Sequence, residues 1–170
     1  MGPFETITAC RACGNKDLMD ILHLGDQPLA NALVCPGESE VRKFPLSTTF
    51  CPGCSLFQLR ETVRKETLFD HYVWVTGTSK IACEYAELFA QRVVKWAELN
   101  AGDRVFEIAS NDGTVLKQFI KRDMEVLGIE PAINIANKAN NEGVRTECCY
   151  WDIAYINRIF GRLLHRIQFR

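Results

Sequence analysis

The sequence predicts an α/β protein in which a small N-terminal zinc-binding domain precedes a partial Rossmann-like domain. Two observations support this prediction: two C-x-x-C pairs lie near the N-terminus, and strand-like and helical segments alternate between residues 104 and 148. We expect the first domain to span residues 1–65 and the second to span 66–150. A basic amphipathic tail is expected over 151–170.

The composition is that of a globular protein, with 47% hydrophobic and 24% charged residues. No run approaches the roughly 18 apolar residues of a membrane-spanning helix, and no basic segment followed by an apolar one resembles a secretory signal. We therefore expect a cytoplasmic protein. The formal net charge of −1 argues against bulk attraction to nucleic acid.

Cysteine spacing in the first domain predicts a metal site. The four ligands would be Cys10, Cys13, Cys51 and Cys54. Four thiolates complete the tetrahedral coordination of structural Zn²⁺. The alternatives are a redox dithiol, a disulfide framework and unrelated cysteines. A redox dithiol would open a helix after a strand, and a disulfide framework would need an export signal, and the sequence shows neither. We expect the remaining cysteines to be small buried residues: Cys35, Cys83, Cys148 and Cys149.

Short strands and turns are predicted around the cysteine pairs. Turn signals occur at residues 25–28 and 35–37. Strand-like residues at Phe50 and at 56–59 flank the second pair, and we expect them to form the small core of the domain. Because so small a core is marginal alone, the metal is expected to supply much of the stability.

A long helix is predicted from residue 80 to about residue 100. Ser79 is the expected N-cap, and residues 101–103 turn into the next strand. Apolar side chains at helical spacing are expected to form its buried face: Ile81, Tyr85, Leu88, Phe89 and Trp96.

The alternation that follows indicates the fold class. Strands are predicted at 104–109, 125–130 and 144–148, with helices at 113–122 and 133–141 between them. Short links between these elements imply right-handed crossovers and a parallel sheet. This is the first half of a doubly wound, Rossmann-like domain.

Acidic residues end two of the predicted strands. Glu107 lies near the end of the first, residues 110–113 form the turn that follows, and Glu130 ends the second. Ligands of open α/β sheets bind beyond these strand ends, where a carboxylate such as Glu130 can accept hydrogen bonds from a ribose diol. The acidic, glycine-poor turn suits a cationic amino-acid group better than a pyrophosphate, which favours S-adenosylmethionine (SAM) over NAD. A solvated strand end and an ordinary turn are the alternatives.

A set of short motifs carries a family resemblance. They are CRACG at 10–14, LGDQPLAN at 24–31, FPL at 44–46, CPGC at 51–54, QL at 58–59, GTS at 77–79, EIASNDGT at 107–114 and GIEPA at 128–132. In this order they resemble the SAM-dependent sugar C-methyltransferases. Those enzymes have an N-terminal zinc-binding domain and act on nucleotide-linked 4-keto-deoxysugars.

The resemblance implies methyl transfer from SAM to a sugar carbon through an enolate formed beside the ketone. It assigns SAM binding to Gly77, Thr78, Ser79, Glu107, Ala109, Ser110, Asn111, Gly113 and Glu130. Tyr72 is similar to a family tyrosine near the sugar, while Trp74 stands where an aromatic hydroxyl is expected. The family's chains are much longer, and the resemblance places their acid–base residues in a part that this sequence does not match. The catalytic residues are therefore not assigned.

The tail from residue 151 has no match to the family. It lacks acidic residues from Ile153 onward, and arginines recur every four residues at Arg158, Arg162, Arg166 and Arg170. This pattern predicts a basic amphipathic helix that caps the edge of the half sheet. A role at a membrane surface or against an acidic partner is the alternative.

Three functions remain open from the sequence. The first is a shortened C-methyltransferase that binds SAM and a nucleotide-sugar. The second is a non-catalytic module that keeps the zinc domain and part of the SAM fold. The third, a zinc-ribbon nucleic-acid binder, is disfavoured because no basic and aromatic patch surrounds the cysteines. Self-association or a partner chain is expected at the open sheet edge.

Overall fold

A computed structural model describes residues 2–30, 32–34, 36–37 and 41–164, with residues 159–164 described by their backbone alone. The chain forms two compact units, Met1–Val73 and Trp74–Arg170. The finer domain limits expected at residues 65 and 150 stay predictions. Within the described ranges, no helix is long and apolar enough to cross a membrane.

Antiparallel strands form two sheets in the N-terminal unit. One sheet pairs β1 (Phe4–Thr6) with β5 (Glu61–Val63). A second sheet has the order β2-β3-β4, formed by β2 (Met19–Pro28), β3 (Lys43–Phe50) and β4 (Phe57–Leu59). A short helix, α1 (Lys65–Phe69), follows them. Three of these strands have three residues each, but β2 and β3 have ten and eight, so the predicted short strands make up only part of the unit.

Residues 25–28 do not form the predicted turn. They lie in β2, which continues to Pro28. Between His23 and Asp26 the pairing with β3 shifts register, and Gly25 has a φ of +68° at this point. A glycine in this conformation accommodates an extra residue within a strand, so the turn-like sequence forms a β-bulge instead. The other predicted turn is described only at Pro36 and Gly37, because Cys35 lies outside the described residues.

The core of the N-terminal unit also differs from the prediction. Phe44 and Cys51 are buried, whereas Phe57 and Leu59 of β4 are 55% and 49% exposed. Gln58, between them, is the buried side chain of this strand. Since alternate residues of a strand face opposite sides, the apolar pair and the glutamine cannot both face inward, and the structure buries the glutamine.

The second unit contains the predicted parallel sheet. Its strands are β6 (Arg104–Ile108), β7 (Glu125–Ile129) and β8 (Thr146–Glu147), in the order β6-β7-β8. Two helices connect the strands, α3 (Leu116–Ile120) and α4 (Ile133–Asn141). The α/β fold class, with part of a Rossmann-like sheet, is confirmed.

The two faces of the parallel sheet are covered differently. Val105 of β6 packs into the buried clusters that contain Phe119 and Leu116 of α3. Phe106 points to the opposite face, because side chains alternate along a strand. There its ring centroid lies 5.0 Å from that of Trp151, just before helix α5 (Ile153–Leu164). The predicted tail helix is therefore present over its described part, and it begins on this second face.

The long helix α2 (Lys80–Trp96) has the expected N-cap, because the Oγ of Ser79 accepts a hydrogen bond from the Ala82 amide at 3.3 Å. Its buried face, however, is not the predicted one. The large apolar side chains are exposed: Ile81 by 78%, Tyr85 by 62%, Leu88 by 53%, Phe89 by 40% and Trp96 by 87%. Ala90 is buried instead and packs beside Phe119. Small side chains permit a close helix-to-helix approach, so the alanine stripe faces the core.

Candidate functional site

Both cysteine pairs lie in the same type of tight turn. The Gly14 amide donates to the Cys10 carbonyl at 2.9 Å, and the Ser55 amide donates to the Cys51 carbonyl at 2.8 Å. The donor residue is left-handed in each case, with a φ of +73° at Gly14 and +61° at Ser55. Glycine at such a position is recognisable from sequence, but serine is not, because serine rarely adopts this conformation.

The two turns bring four sulfur atoms together. The Sγ atoms of Cys10, Cys13, Cys51 and Cys54 all lie within 4.8 Å of one another. The Cys10–Cys54 and Cys13–Cys51 sulfur distances are both 3.6 Å. A tetrahedral site with Zn–S bonds of about 2.3 Å has sulfur–sulfur distances of about 3.8 Å. The donor set therefore fits a closed zinc site without an open coordination position.

The electrostatics of the cluster favour a cation. A hydrogen bond from the backbone of Cys13 lowers the pKa of the Cys10 thiol to about 6. The Leu56 backbone lowers the pKa of Cys54, but the neighbouring Cys13 and Cys10 thiols and burial outweigh it and raise this pKa to about 12. The Cys10 thiolate therefore forms readily, whereas deprotonation of Cys54 is unfavourable. A divalent cation removes that opposition, because metal binding favours the deprotonated form of every ligand.

A glycine and an asparagine hold the two cysteine turns against each other. The Nδ2 of Asn15 lies 3.8 Å from the Sγ of Cys51. A Cβ built at Gly53 would lie 2.9 Å from the same Nδ2 atom, closer than side chains tolerate. A side chain at position 53 would therefore require the end of the Asn15 side chain to move.

The turn after β6 has a strained backbone. Ala109, Asn111 and Gly113 are left-handed, with φ values of +56°, +49° and +73°. Asp112 is buried, and its Oδ1 accepts hydrogen bonds from the amide (3.3 Å) and hydroxyl (2.6 Å) of Thr114. Left-handed residues other than glycine persist only where their surroundings hold them, and they concentrate at functional sites.

The helix after this turn is shorter than predicted. It begins at Leu116 instead of residue 113, and it ends at Ile120. A Cβ at Gly113 would lie 2.6 Å from the Cγ1 of Val144. Gly113 therefore has two structural roles. It adopts the left-handed conformation, and it lets the turn pack against the segment that leads into β8.

A 3₁₀ turn at Thr76–Thr78 lies beside the strained turn. The Thr76 amide donates to the Oδ1 of Asn111 at 2.8 Å, and the Gly77 amide donates to the Oδ2 of Asp112 at 3.2 Å. The Nδ2 of Asn111 donates to the Trp74 carbonyl at 3.1 Å. A Cβ at Gly77 would lie 2.5 Å from the Asp112 carboxylate, so only glycine fits. Residues predicted from two distant motifs thus meet.

Two of the predicted residues use their side chains within their own segment. The Oγ1 of Thr78 donates to the Val75 carbonyl at 2.7 Å, and Ser79 caps α2. Neither hydroxyl is directed at the strained turn by a hydrogen bond in the structure. Thr78 and Ser79 would therefore contribute to a cofactor site through their backbone atoms and not through their hydroxyls.

Glu130 ties the end of β7 to the strained turn. Its Oε2 accepts from the Asn111 amide at 3.0 Å and its Oε1 accepts from the Ala132 amide at 2.9 Å. The side chain is 5% exposed. Each carboxylate oxygen offers about two acceptor positions, so the predicted ribose diol would use the remaining ones. Glu130 consequently has a structural task, and its contact to a ribose stays a prediction.

Ser110 depends on a glycine in the neighbouring strand. Its side chain is buried, and a Cβ at Gly128 would lie 2.4 Å from the Ser110 Oγ. The missing side chain in the middle of β7 leaves room for the turn to fold over the sheet. Among the described residues, the Ser110 hydroxyl has no hydrogen-bond partner.

Glu107 is the most unusual acid of the second unit. Its Oε2 is buried and has no hydrogen-bond partner within the part of the chain that the structure describes. Burial, and then the charge of Asp112, raise the pKa of Glu107 to about 7. A buried carboxyl without a partner costs free energy unless something compensates for it. A cationic ligand group would compensate it, so the site fits the positively charged methionine end of SAM.

Tyr72 belongs to the N-terminal unit. It lines a pocket of about 160 Å³ together with Leu29, Leu68 and His71. Trp74 opens the second unit and is 51% exposed. The predicted sugar contact at Tyr72 stays a prediction.

Two comparisons with known proteins bear on these sites. Residues 10–69 match the family model of a putative zinc binding domain. The chain is 33% identical over 142 residues to C-methyltransferase NovU of Streptomyces niveus. The resemblance to C-methyltransferases is therefore confirmed. The alignment covers 82% of this chain but 34% of NovU, so the chain spans about a third of the length of this relative.

The matched zinc-binding region contains all four clustered cysteines. Sequence reasoning missed Asp112 and Gly128 as individual site residues. Asp112 resembles an ordinary turn residue, and the glycine of a strand carries no signal of what packs over it. The sequence does not predict the contact between Gly77 and Asp112 either, because 34 residues lie between them.

Proposed function

We propose that the chain is a SAM-dependent C-methyltransferase, or a shortened relative of one, acting on a nucleotide-linked 4-keto-deoxysugar. The observation that carries the proposal is the buried Oε2 of Glu107, which has no hydrogen-bond partner among the described residues and lies beside the strained turn of residues 109–113. The similarity to C-methyltransferase NovU supports the same reaction class. The chain spans about a third of the length of that relative, so its substrate and its activity are both part of this proposal.

The proposed cofactor site lies at the carboxyl end of the parallel sheet. SAM supplies the methyl group on its sulfonium. Glu107 pairs with the cationic methionine end, with the backbone of the strained turn and of Gly77 next to it. Glu130 accepts hydrogen bonds from the ribose, using the acceptor positions that its two backbone amides leave. In the N-terminal unit, the four cysteines hold Zn²⁺, which stabilises the fold without taking part in the reaction.

The reaction also needs a base for the proton beside the ketone and a donor for the enolate oxygen. Tyr72 is our candidate for a contact to the sugar, and no base is assigned. A non-catalytic module that binds SAM or only assembles with other proteins is therefore the second candidate function. It is favoured by the family resemblance itself, which places the acid–base residues in a part that this sequence does not match.

Calorimetry with SAM and S-adenosylhomocysteine on the zinc-loaded chain tests the cofactor site. Glu130→Ala should weaken binding by about 1.5–3 kcal/mol, because charge-assisted hydrogen bonds to the ribose are lost. Glu87→Ala, on the exposed surface of α2, is the control and should leave the affinity unchanged. No binding at millimolar ligand would refute the cofactor site.

Methyl transfer is tested separately, with a nucleotide-linked 4-keto-deoxysugar and isotope-labelled SAM. Binding without transfer would leave the module as the better description. We also propose that the protein works in a reducing compartment such as the cytoplasm, because the four ligand thiols must stay reduced to hold zinc.

A further inference from the structure

Helix α2 has an exposed apolar surface in addition to its buried alanine face. Its buried residues are Ala86 and Ala90. Large apolar side chains form a band along another side of the helix, which we call the α2 stripe: Ile81, Tyr85, Leu88, Phe89 and Trp96. These side chains are between 40% and 87% exposed. A continuous exposed apolar surface of this kind is typical of an interaction site.

The α2 stripe is complementary to itself when two helices run antiparallel. A two-fold axis that passes between Leu88 and Phe89 places each of these residues opposite the other in the second copy. The same axis places Ile81 at one end of the stripe opposite the second copy's Trp96, which is 87% exposed. Apolar side chains would therefore meet along the whole contact, and both ends of the stripe would be covered.

Two charged residues beside the stripe favour the same arrangement. Lys95 follows Glu84 by eleven residues, close to three helical turns, so both lie on the same flank of the stripe. In the antiparallel pair, Glu84 would lie about 3 Å along the axis from Lys95 of the second copy, an offset that a lysine side chain can span. A parallel pair in register would instead bring each of these residues against its own copy, with like charges together.

The remaining charge within the stripe also finds a suitable partner. Arg92 lies between Leu88 and Trp96 on the helix surface, and it is exposed. The two-fold axis places its guanidinium against the ring of the second copy's Tyr85, where a cation–π contact can form. A second copy of this chain therefore satisfies the apolar, acidic and basic groups of this surface together.

We propose that the α2 stripe joins two copies of this chain as an antiparallel helix pair, in which Glu84 of each copy lies beside Lys95 of the other. The contact involves neither the cysteine cluster nor the strained turn after β6. The association is therefore independent of the proposed function.

Sedimentation equilibrium of the zinc-loaded chain tests the pairing. At micromolar concentration we expect twice the chain mass of 19.3 kDa. Leu88→Lys should raise the dissociation constant of the dimer by about tenfold or more, because an ammonium would be buried next to the two-fold axis. Ile133→Lys is the matched control, since Ile133 is 48% exposed on α4, and it should leave the dissociation constant unchanged. Circular dichroism and zinc content establish that both variants are folded.

Charge reversal tests the antiparallel direction. Glu84→Lys and Lys95→Glu should each raise the dissociation constant by about three- to tenfold, because like charges then meet at two symmetry-related contacts. The double variant should restore the dimer. Within one chain, Glu84 also pairs with Lys80 at 3.7 Å. The double variant does not restore this intrahelical pair, so a rescue reports the contact between the copies.

A chain that sediments as a monomer over the whole concentration range would overturn the proposal. Protection of Trp96 from hydroxyl radicals in that monomer would identify another part of the chain as the cover of the α2 stripe. Equal weakening by Leu88→Lys and Ile133→Lys would overturn the assigned surface. A double charge variant that binds no more tightly than the single variants would exclude the antiparallel pair.

Discussion

The cysteine turns and the turn after β6 both position polar groups on a left-handed backbone, but they are held in different ways. Both use left-handed residues, Ser55 in one case and Ala109 and Asn111 in the other. The cysteine turns repeat one local pattern and direct four like donors at a single point. The turn after β6 depends on residues far away in the chain. Within the described part of the chain, a buried oxygen of Glu107 and the hydroxyl of Ser110 have no hydrogen-bond partner.

The difference shows how much of a site can be specified locally. A closed metal site needs its ligands and their spacing, both of which lie within short segments. A pocket for an organic cofactor needs a shape that several segments make together, and it keeps polar atoms unsatisfied in the absence of the ligand.

Removal of the metal should have the largest effect. Structural zinc contributes on the order of 10 kcal/mol to small domains, so a chelator or Cys51→Ser should unfold the N-terminal unit. The parallel sheet has its own core and should stay folded. Hydrogen exchange resolved by unit measures both outcomes, with Cys149→Ser as the control outside the cluster. Retention of the N-terminal fold without metal would contradict the structural role.

Gly113→Ala should be the most damaging single change in the cofactor turn. Alanine at a φ of +73° is strained, and its Cβ would lie 2.6 Å from Val144. We expect a loss of about 2–4 kcal/mol in the free energy of unfolding of the second unit, measured by urea denaturation. Gly143→Ala is the matched control, because Gly143 has a φ of +82° and no atom of the described residues lies within 4 Å of the added Cβ. It should cost about 1 kcal/mol from strain alone, and equal losses would refute the packing argument.

Glu107→Gln should change the pH dependence of stability. Burial and Asp112 raise the pKa of Glu107 from 4.5 to about 7 in the folded chain. The folded state therefore holds the proton more tightly than the unfolded state, and stability is lost as pH rises from 4.5 to 7. Glutamine should abolish this loss, as measured by the urea midpoint of the second unit between pH 4.5 and 8. Glu87→Gln should keep this loss of stability. If the stability of both variants depended on pH in the same way, the proposed effect of Glu107 would be excluded.

Relief of backbone strain should give the smallest effects. Ser55→Gly and Ala109→Gly each place glycine at a left-handed position, with φ values of +61° and +56°. Each change should stabilise its own unit by about 0.5–1 kcal/mol, because glycine adopts this conformation without a Cβ clash. Thermal unfolding of the zinc-loaded variants measures the gain. Destabilisation by Ala109→Gly alone would mean that the alanine methyl group packs in the site.

Much of the fold was predictable because its signals are local. The spacing of the cysteines, the N-cap at Ser79 and the alternation of strands and helices after residue 104 all depend on neighbouring residues. Errors arose where tertiary contacts decide. The helix α2 carries both a large apolar stripe and an alanine stripe, and periodicity alone does not tell which one faces the core.

In the candidate site, too, local features were predictable from the sequence and tertiary contacts were not. Glu107 and Glu130 were identifiable as acids at strand ends, but the bonds from Glu130 to two backbone amides were not. The sequence around Gly25 predicts a turn, because a bulge and a turn use the same residue types. Ser55 and Asp112 carry no distinctive local signal, since their roles come from the residues that surround them.

The close approach of Ser110 to Gly128 imposes a rule on related sequences. A Cβ added at Gly128 would lie 2.4 Å from the Oγ of Ser110 and 2.9 Å from its Cβ, so the two side chains would overlap. The two positions therefore form a steric pair in which one must stay small. A relative that carries alanine at the position of Gly128 should carry glycine at the position of Ser110. This pairing offers a way to sort distant sequences that keep this turn from those that have replaced it.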